Sequence, residues 1–129
     1  MKAKILLIED NEQNRYLVTY LLEGRGHTVL AVETGPLGLE LARQTPPDLI
    51  LLDIQLPGMD GYAVARALKA DPQLRHIPII AATSYAMVGD REQAMAAGCD
   101  GYLEKPINPE TFVTDVERFL RSRPKGGAL

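Results

Sequence analysis

The stretch LILLDIQLP, Leu49–Pro57, decides how this chain is read. Four apolar residues run straight into Asp53, and Pro57 stands four residues beyond it. With Asp48 in front, DLILLD is too short for a helix and shows no polar face. A run apolar on both alternating faces is a strand buried on both sides, as in the middle of a parallel sheet. Such a strand delivers a carboxylate at its carboxyl end, and that placement needs a reason.

Working outward from it, short apolar runs alternate with helical patterns. KILLI (4–8) predicts strand β1. Asn11 or Glu12 opens helix α1, with Leu17, Val18, Leu21 and Leu22 on one face and Gly24 and Gly26 ending it. HTVLAV (27–32) predicts β2. GPLGLELARQT (35–45) predicts α2, with Pro36 tolerated in its first turn and Pro46 and Pro47 stopping it. DLILLD (48–53) is β3 and GYAVARALKA (61–70) is α3. IPIIAAT (77–83) is β4, and DREQAMAA (90–97) is α4, with Gly98 just past its end. CDGYLE (99–104) is β5. NPETFVTDVERFLRS (108–122) is α5, capped by Asn108, with Pro109 in its first position and Phe112, Val113, Val116, Phe119 and Leu120 as its buried stripe. Residues 1–123 read as one domain, and 124–129 as a flexible tail with no output domain.

Five βα units predict a doubly wound α/β fold of flavodoxin-like type, a parallel sheet in the order 2-1-3-4-5 with helices on both faces. In that order β1 and β3 are neighbours where the winding reverses, and ligands bind outside the strand carboxyl ends at that point. Glu9 and Asp10 follow β1, and Asp53 ends β3. Topology therefore gathers three carboxylates into one crevice. Two unit charges about 4 Å apart cost roughly 4 kcal/mol at an effective dielectric near 20. Two things can offset this: a hard divalent cation such as Mg²⁺, or Lys105, which ends β5 at the same edge. Any one acid after a strand is commonplace. Three at the switch point, with Thr83 and Lys105 at neighbouring strand ends, favour a functional site.

IEDN, LILLDIQLPGMDG, IIAATS and YLEKPI resemble, in order and spacing, the receiver domain of bacterial response regulators, the CheY-like superfamily. The resemblance implies that Asp53 accepts a phosphoryl group from a histidine kinase or a histidine phosphotransfer protein. It implies that Asp10, Asp53 and the backbone carbonyl of Gln55 hold Mg²⁺, for which Mn²⁺ substitutes, and that Glu9 acts through a metal-bound water. Thr83 and Lys105 bind phosphoryl oxygens, Lys105–Pro106 is a cis peptide, and Tyr102 is the rotating aromatic that follows Thr83. Gln55 and Tyr85 adjust the lifetime of the acyl phosphate. The output surface is α4, β5 and α5, read by a downstream protein. DIQLP, HIP and the GC pair are similar to the single-domain DivK-like type, and receivers of hybrid histidine kinases share much of the same wording. Opening at Met1 directly before β1 favours the stand-alone form.

Other classes fit less well. A haloacid-dehalogenase-type phosphohydrolase needs a second acid two residues after its aspartate, and Gln55 stands there. A flavodoxin needs a Ser/Thr/Gly phosphate loop after β1, where this chain has EDNEQN. GRGHTV has Val29 in place of a third glycine and precedes a strand, so it is no dinucleotide fingerprint. The net charge of −3 argues against direct nucleic-acid binding. Cys99, the only cysteine, fits a small buried residue in a reducing compartment. The four-residue apolar run near the N-terminus is too short for a signal peptide or a span, so a cytoplasmic monomer or weak dimer without membrane insertion is expected. It would be a phosphoacceptor that assists its own chemistry and not an enzyme turning over a separate substrate. His27 and His76 read as surface or loop residues, and Met87 and Met95 as packing residues that α4 could otherwise present to a partner.

Overall fold

The computed structural model describes residues 2–84 and 88–122. Tyr85, Met87 and the tail at 124–129 lie outside the described residues. The elements are β1 Lys4–Ile8, α1 Glu12–Glu23, β2 Thr28–Val32, α2 Gly35–Gln44, β3 Leu49–Asp53, α3 Gly61–Ala70, β4 Ile79–Thr83, α4 Asp90–Ala96, β5 Gly101–Glu104 and α5 Phe112–Ser122. All the strand pairings are parallel, and the order is β2-β1-β3-β4-β5, as the alternation predicts.

The strand period of two divides the core. Leu6, Ile8, Ile50 and Leu52 face one layer with Val64, Ala65 and Leu68 of α3. Their neighbours Ile5, Leu7, Leu49 and Leu51 face the other, against Val18 and Leu22 of α1 and Val116 and Leu120 of α5. All five residues of β3 are buried. Each fully buried Leu or Ile contributes about 1.5–3 kcal/mol by leaving water. The central strand is thus anchored along its whole length, and it carries Asp53.

The caps follow local chemistry. Asn11 accepts from Asn14 N–H, Thr34 from Leu37 N–H and Asp60 from Ala63 N–H, each satisfying a donor that a helix start leaves free. Gly98 ends α4 at φ 107°. Gly61 opens α3 against the end of β3, where a Cβ would stand 2.5 Å from the Asp53 carbonyl oxygen. Only a glycine lets the helix start sit this close to the Asp53 backbone.

The structure corrects four readings. Regular α5 begins at Phe112, not at Asn108: the Asn108 side chain accepts from Glu110 N–H at 3.0 Å, and residues 109–111 form a tight turn instead. Phe119 is only partly buried, on the margin of the stripe. Met95 is exposed, because the seven residues of short α4 turn only Ala94 into the core. His27 lies in the loop before β2, as read, but it is buried and not at the surface. Its Nδ1 accepts from Ala3 N–H at 3.1 Å, so Nε2 carries the proton and donates to Glu117 Oε2 at 2.8 Å. Glu117 is buried too, and Arg25 donates to its other oxygen at 2.9 Å. Burial opposes ionisation of Glu117, but the His27 hydrogen bond and the Arg25 charge hold its pKa below the usual carboxylate value.

An acidic crevice at the strand carboxyl ends

The register sets the site. Ile8 pairs with Leu52, Asp53 with Ala82 and Thr83 with Glu104, so the tips of β1, β3, β4 and β5 reach one edge. Glu9, Asp10 and Asp53 each bring a carboxylate oxygen within 4.8 Å of the others. Glu9 and Asp53 are buried, 3% and 4% exposed, whereas Asp10 faces solvent.

Lys105 sits between the two buried acids, its Nζ 2.6 Å from Glu9 Oε1 and 3.5 Å from Asp53 Oδ1. The other Glu9 oxygen accepts from Asn11 N–H at 3.1 Å. Asp53 Oδ1 also accepts from Gln55 N–H at 3.0 Å. These positive partners do not fully offset the crowding. Burial first, and the Glu9 carboxylate second, push the Asp53 carboxyl up to about 7 against the pull of Lys105 and the Gln55 amide. A site that holds a carboxylate this reluctantly favours any added cation. The donor set is all oxygen and mostly charged, with one exposed carboxylate at its mouth, which fits a hard divalent ion.

Thr83 is buried at the tip of β4. Gln55 Nε2 donates to its Oγ1, and Ser84 N–H donates to Gln55 Oε1 at 3.2 Å. Lys105–Pro106 is a cis peptide, as expected. Tyr102 is buried, its hydroxyl without a hydrogen-bond partner among the described residues, and the Arg91 guanidinium lies 5.3 Å from the ring centroid. Glu9, Asp10, Asp53, Thr83 and Lys105 therefore converge, and Tyr102 lies apart on β5.

One contributor, Arg15, and one contact of Gln55 went unread in the sequence. Arg15 donates to the Glu9 carbonyl at 2.9 Å and pairs with Glu33 at 3.2 Å, pinning the loop that carries the acids. Its position one turn into α1, behind that loop, was the available signal. The Gln55 side chain crosses from β3 to β4, and no one-dimensional spacing reports that.

Comparison with known proteins agrees with this geometry. The profile of the response regulator receiver domain matches residues 5–117. The polar-differentiation response regulator DivK of Brucella ovis is 42% identical over 120 residues, covering 93% of this chain and 98% of the relative. The signal receiver domain of a signal transduction histidine kinase from Syntrophus aciditrophicus superposes with a TM-score of 0.86 at 32% identity, covering 98% of each chain. The receiver domain of a sensor histidine kinase from Pseudomonas aeruginosa, with magnesium coordinated in its active-site cleft, superposes with a TM-score of 0.82 at 35% identity and covers 95% of this chain and 98% of that one. This family consists of signalling regulators, and among the described residues no helix is long and apolar enough to cross a membrane. With its sheet order, its crevice of acids facing a lysine and a match over most of its length, the chain belongs to the response regulator receiver family, as a DivK-like, CheY-like phosphorelay receiver.

Proposed function

We propose that Asp53 is the phosphoacceptor and that it takes its phosphoryl group from a histidine kinase or a histidine phosphotransfer protein. The observation that carries this is the burial of Asp53 beside Lys105 in a nest of acids. An Asp53 oxygen forms the new bond to phosphorus while the phosphorus–nitrogen bond of the phosphohistidine breaks, leaving its electron pair on the imidazole. Such transfer asks the protein mainly for position and positive charge. Lys105 supplies one charge 3.5 Å from Asp53, and Thr83 offers a hydroxyl from the neighbouring strand. Asp10, Asp53 and the Gln55 carbonyl would hold Mg²⁺, with Mn²⁺ as a substitute. That ion, when bound, aligns the reacting oxygens and neutralises their charge. Both Glu9 oxygens are already engaged, which supports a role for Glu9 through water.

The product carries about −1.5 to −2 charge where −1 stood. The new anion draws on Thr83, Tyr102 moves into the space vacated, and the face formed by α4, β5 and α5 changes for a downstream protein. The buried Tyr102 hydroxyl, without a partner among the described residues, supports this, since an inward ring that gains no hydrogen bond there is readily exchanged for another position. The chain acts as a cytoplasmic monomer or weak dimer with no direct contact to nucleic acid. The 42% identity to DivK, against 32% and 35% to the two kinase receivers, favours a DivK-like regulator.

Incubation with Mg²⁺ and acetyl phosphate, followed by mass measurement, tests the proposal. A gain of one phosphoryl group, abolished by chelator, is the expected result, and no gain with an active donor overturns it. Asp10→Asn removes a charged ligand at the mouth of the site. Its Mg²⁺ affinity by titration calorimetry is expected to fall about ten-fold or more. The receiver resemblance gives Tyr85, two residues past Thr83 in the sequence, a part in slowing loss of the phosphoryl group. Phosphate loss from Tyr85→Ala is therefore expected to be faster than from the parent, and an equal or slower rate removes Tyr85 from the account.

A further inference from the structure

Gln55 is exposed, yet its side chain is tied at both ends. The carboxamide nitrogen donates to Thr83 Oγ1, and the carboxamide oxygen accepts from Ser84 N–H at 3.2 Å. The backbone N–H of the same residue donates to Asp53 Oδ1 at 3.0 Å. One residue thus links the acceptor to two polar groups at the tip of β4. An oxygen of a phosphoryl group on Asp53 would need those same two groups as donors, and the carboxamide stands on them.

We propose that the Gln55 carboxamide is a resting latch: it holds the Thr83 hydroxyl and the Ser84 N–H until a phosphoryl group on Asp53 displaces it. The inference rests on Asp53 being the phosphoacceptor and adds the event that must precede phosphoryl capture. The exchange runs in the right direction. Ser84 N–H gives up a neutral amide oxygen for an anionic one, and hydrogen bonds to ionised acceptors are roughly twice as strong. The Thr83 hydroxyl, an acceptor in the latch, becomes a donor to the phosphoryl oxygen, which a hydroxyl does by rotation. The latch has two consequences. It slows loading, because two hydrogen bonds must break first. It also holds Thr83 in its resting place, so the unphosphorylated protein is less inclined to switch spontaneously.

Gln55→Met keeps the reach of the side chain and removes both hydrogen bonds. Gln55→Ala removes the side chain altogether, so a result common to both variants does not depend on bulk. Two quantities are measured. The first is hydrogen exchange of the Ser84 amide in metal-free protein before any donor is added. The second is the rate of phosphoryl gain from acetyl phosphate at saturating Mg²⁺. Both variants are expected to show Ser84 exchange and loading each faster by about three- to ten-fold, the range that one net hydrogen bond supplies. Unchanged Ser84 exchange overturns the latch, and so does loading that is equal or slower in both variants. If the parent takes up no phosphoryl group while Ser84 exchange still depends on Gln55, the reading of Asp53 fails and the latch loses its role with it.

Discussion

Asp53→Ala is expected to abolish phosphoryl uptake and at the same time to stabilise the metal-free fold at pH 8. Uptake ends because, among the described residues, no other buried carboxylate faces Lys105 from a strand end without already being engaged on both oxygens. Glu9 is bound by Lys105 and by Asn11 N–H, and Asp10 is exposed. The gain in stability follows from linkage. A carboxyl whose folded pKa is about 7, raised from 3.8, binds its proton more tightly in the fold than in the unfolded chain. Stability therefore falls as pH rises from about 4 to about 7 and stays low above that. Asp53 shares the crevice with Glu9 and with Lys105, which takes up part of the cost of its charge, so the effect is about 1–3 kcal/mol. Thermal unfolding in chelator is the measurement. The variant is expected to gain most at pH 8 and little at pH 5, and Mg²⁺ is expected to raise the melting temperature of the parent more than that of the variant. A variant that is less stable at pH 8 contradicts the account.

Glu117→Ala is expected to lose about 3 kcal/mol, lowering the melting temperature by roughly 10–15 °C. Glu117 joins α5 to His27 and Arg25, and His27 in turn accepts from Ala3 at the start of the chain. Truncation leaves the buried His27 Nε2–H without an acceptor, which costs more than the bond itself contributed. Arg121→Ala is the control. Its 3.7 Å pairing with the same carboxylate ends on a solvent-exposed guanidinium, so a loss of at most about 1 kcal/mol is expected. Because the folded pKa of Glu117 is depressed, its contribution is fully present above the ordinary carboxylate value. It is lost as pH falls through the folded one. Glu117→Gln is therefore expected to show a shallower loss of stability on acidification than the parent. Parallel acid-unfolding curves would remove the ionised carboxylate from the explanation.

How far the sequence could be read depended on the distance over which each feature is determined. Strand β1, helix α3 and the ends of β3 and β4 carry their own signals in apolar runs and caps. Parallel topology then brings Glu9, Asp10, Asp53, Thr83 and Lys105 together without knowledge of any side-chain angle. The start of α5 was misplaced because Asn108 and Pro109 favour a turn as readily as a helix, and the choice falls to packing. Glu117 could have been suspected, since it stands four residues after Val113 and three before Leu120, on the buried stripe. A carboxylate on an apolar face calls for a partner, but His27 lies ninety residues away, and only the fold brings the two together. The direction taken by the Gln55 side chain depends on a neighbour on the next strand, which periodicity does not encode.

Lys105 is a counter-ion that travels with the polypeptide. Its ammonium group reaches Glu9 and Asp53 as soon as β5 docks, whatever the ionic content of the surroundings. The crevice thus carries a cation of its own, and under the proposed function magnesium would bear on signalling more than on assembly of the fold.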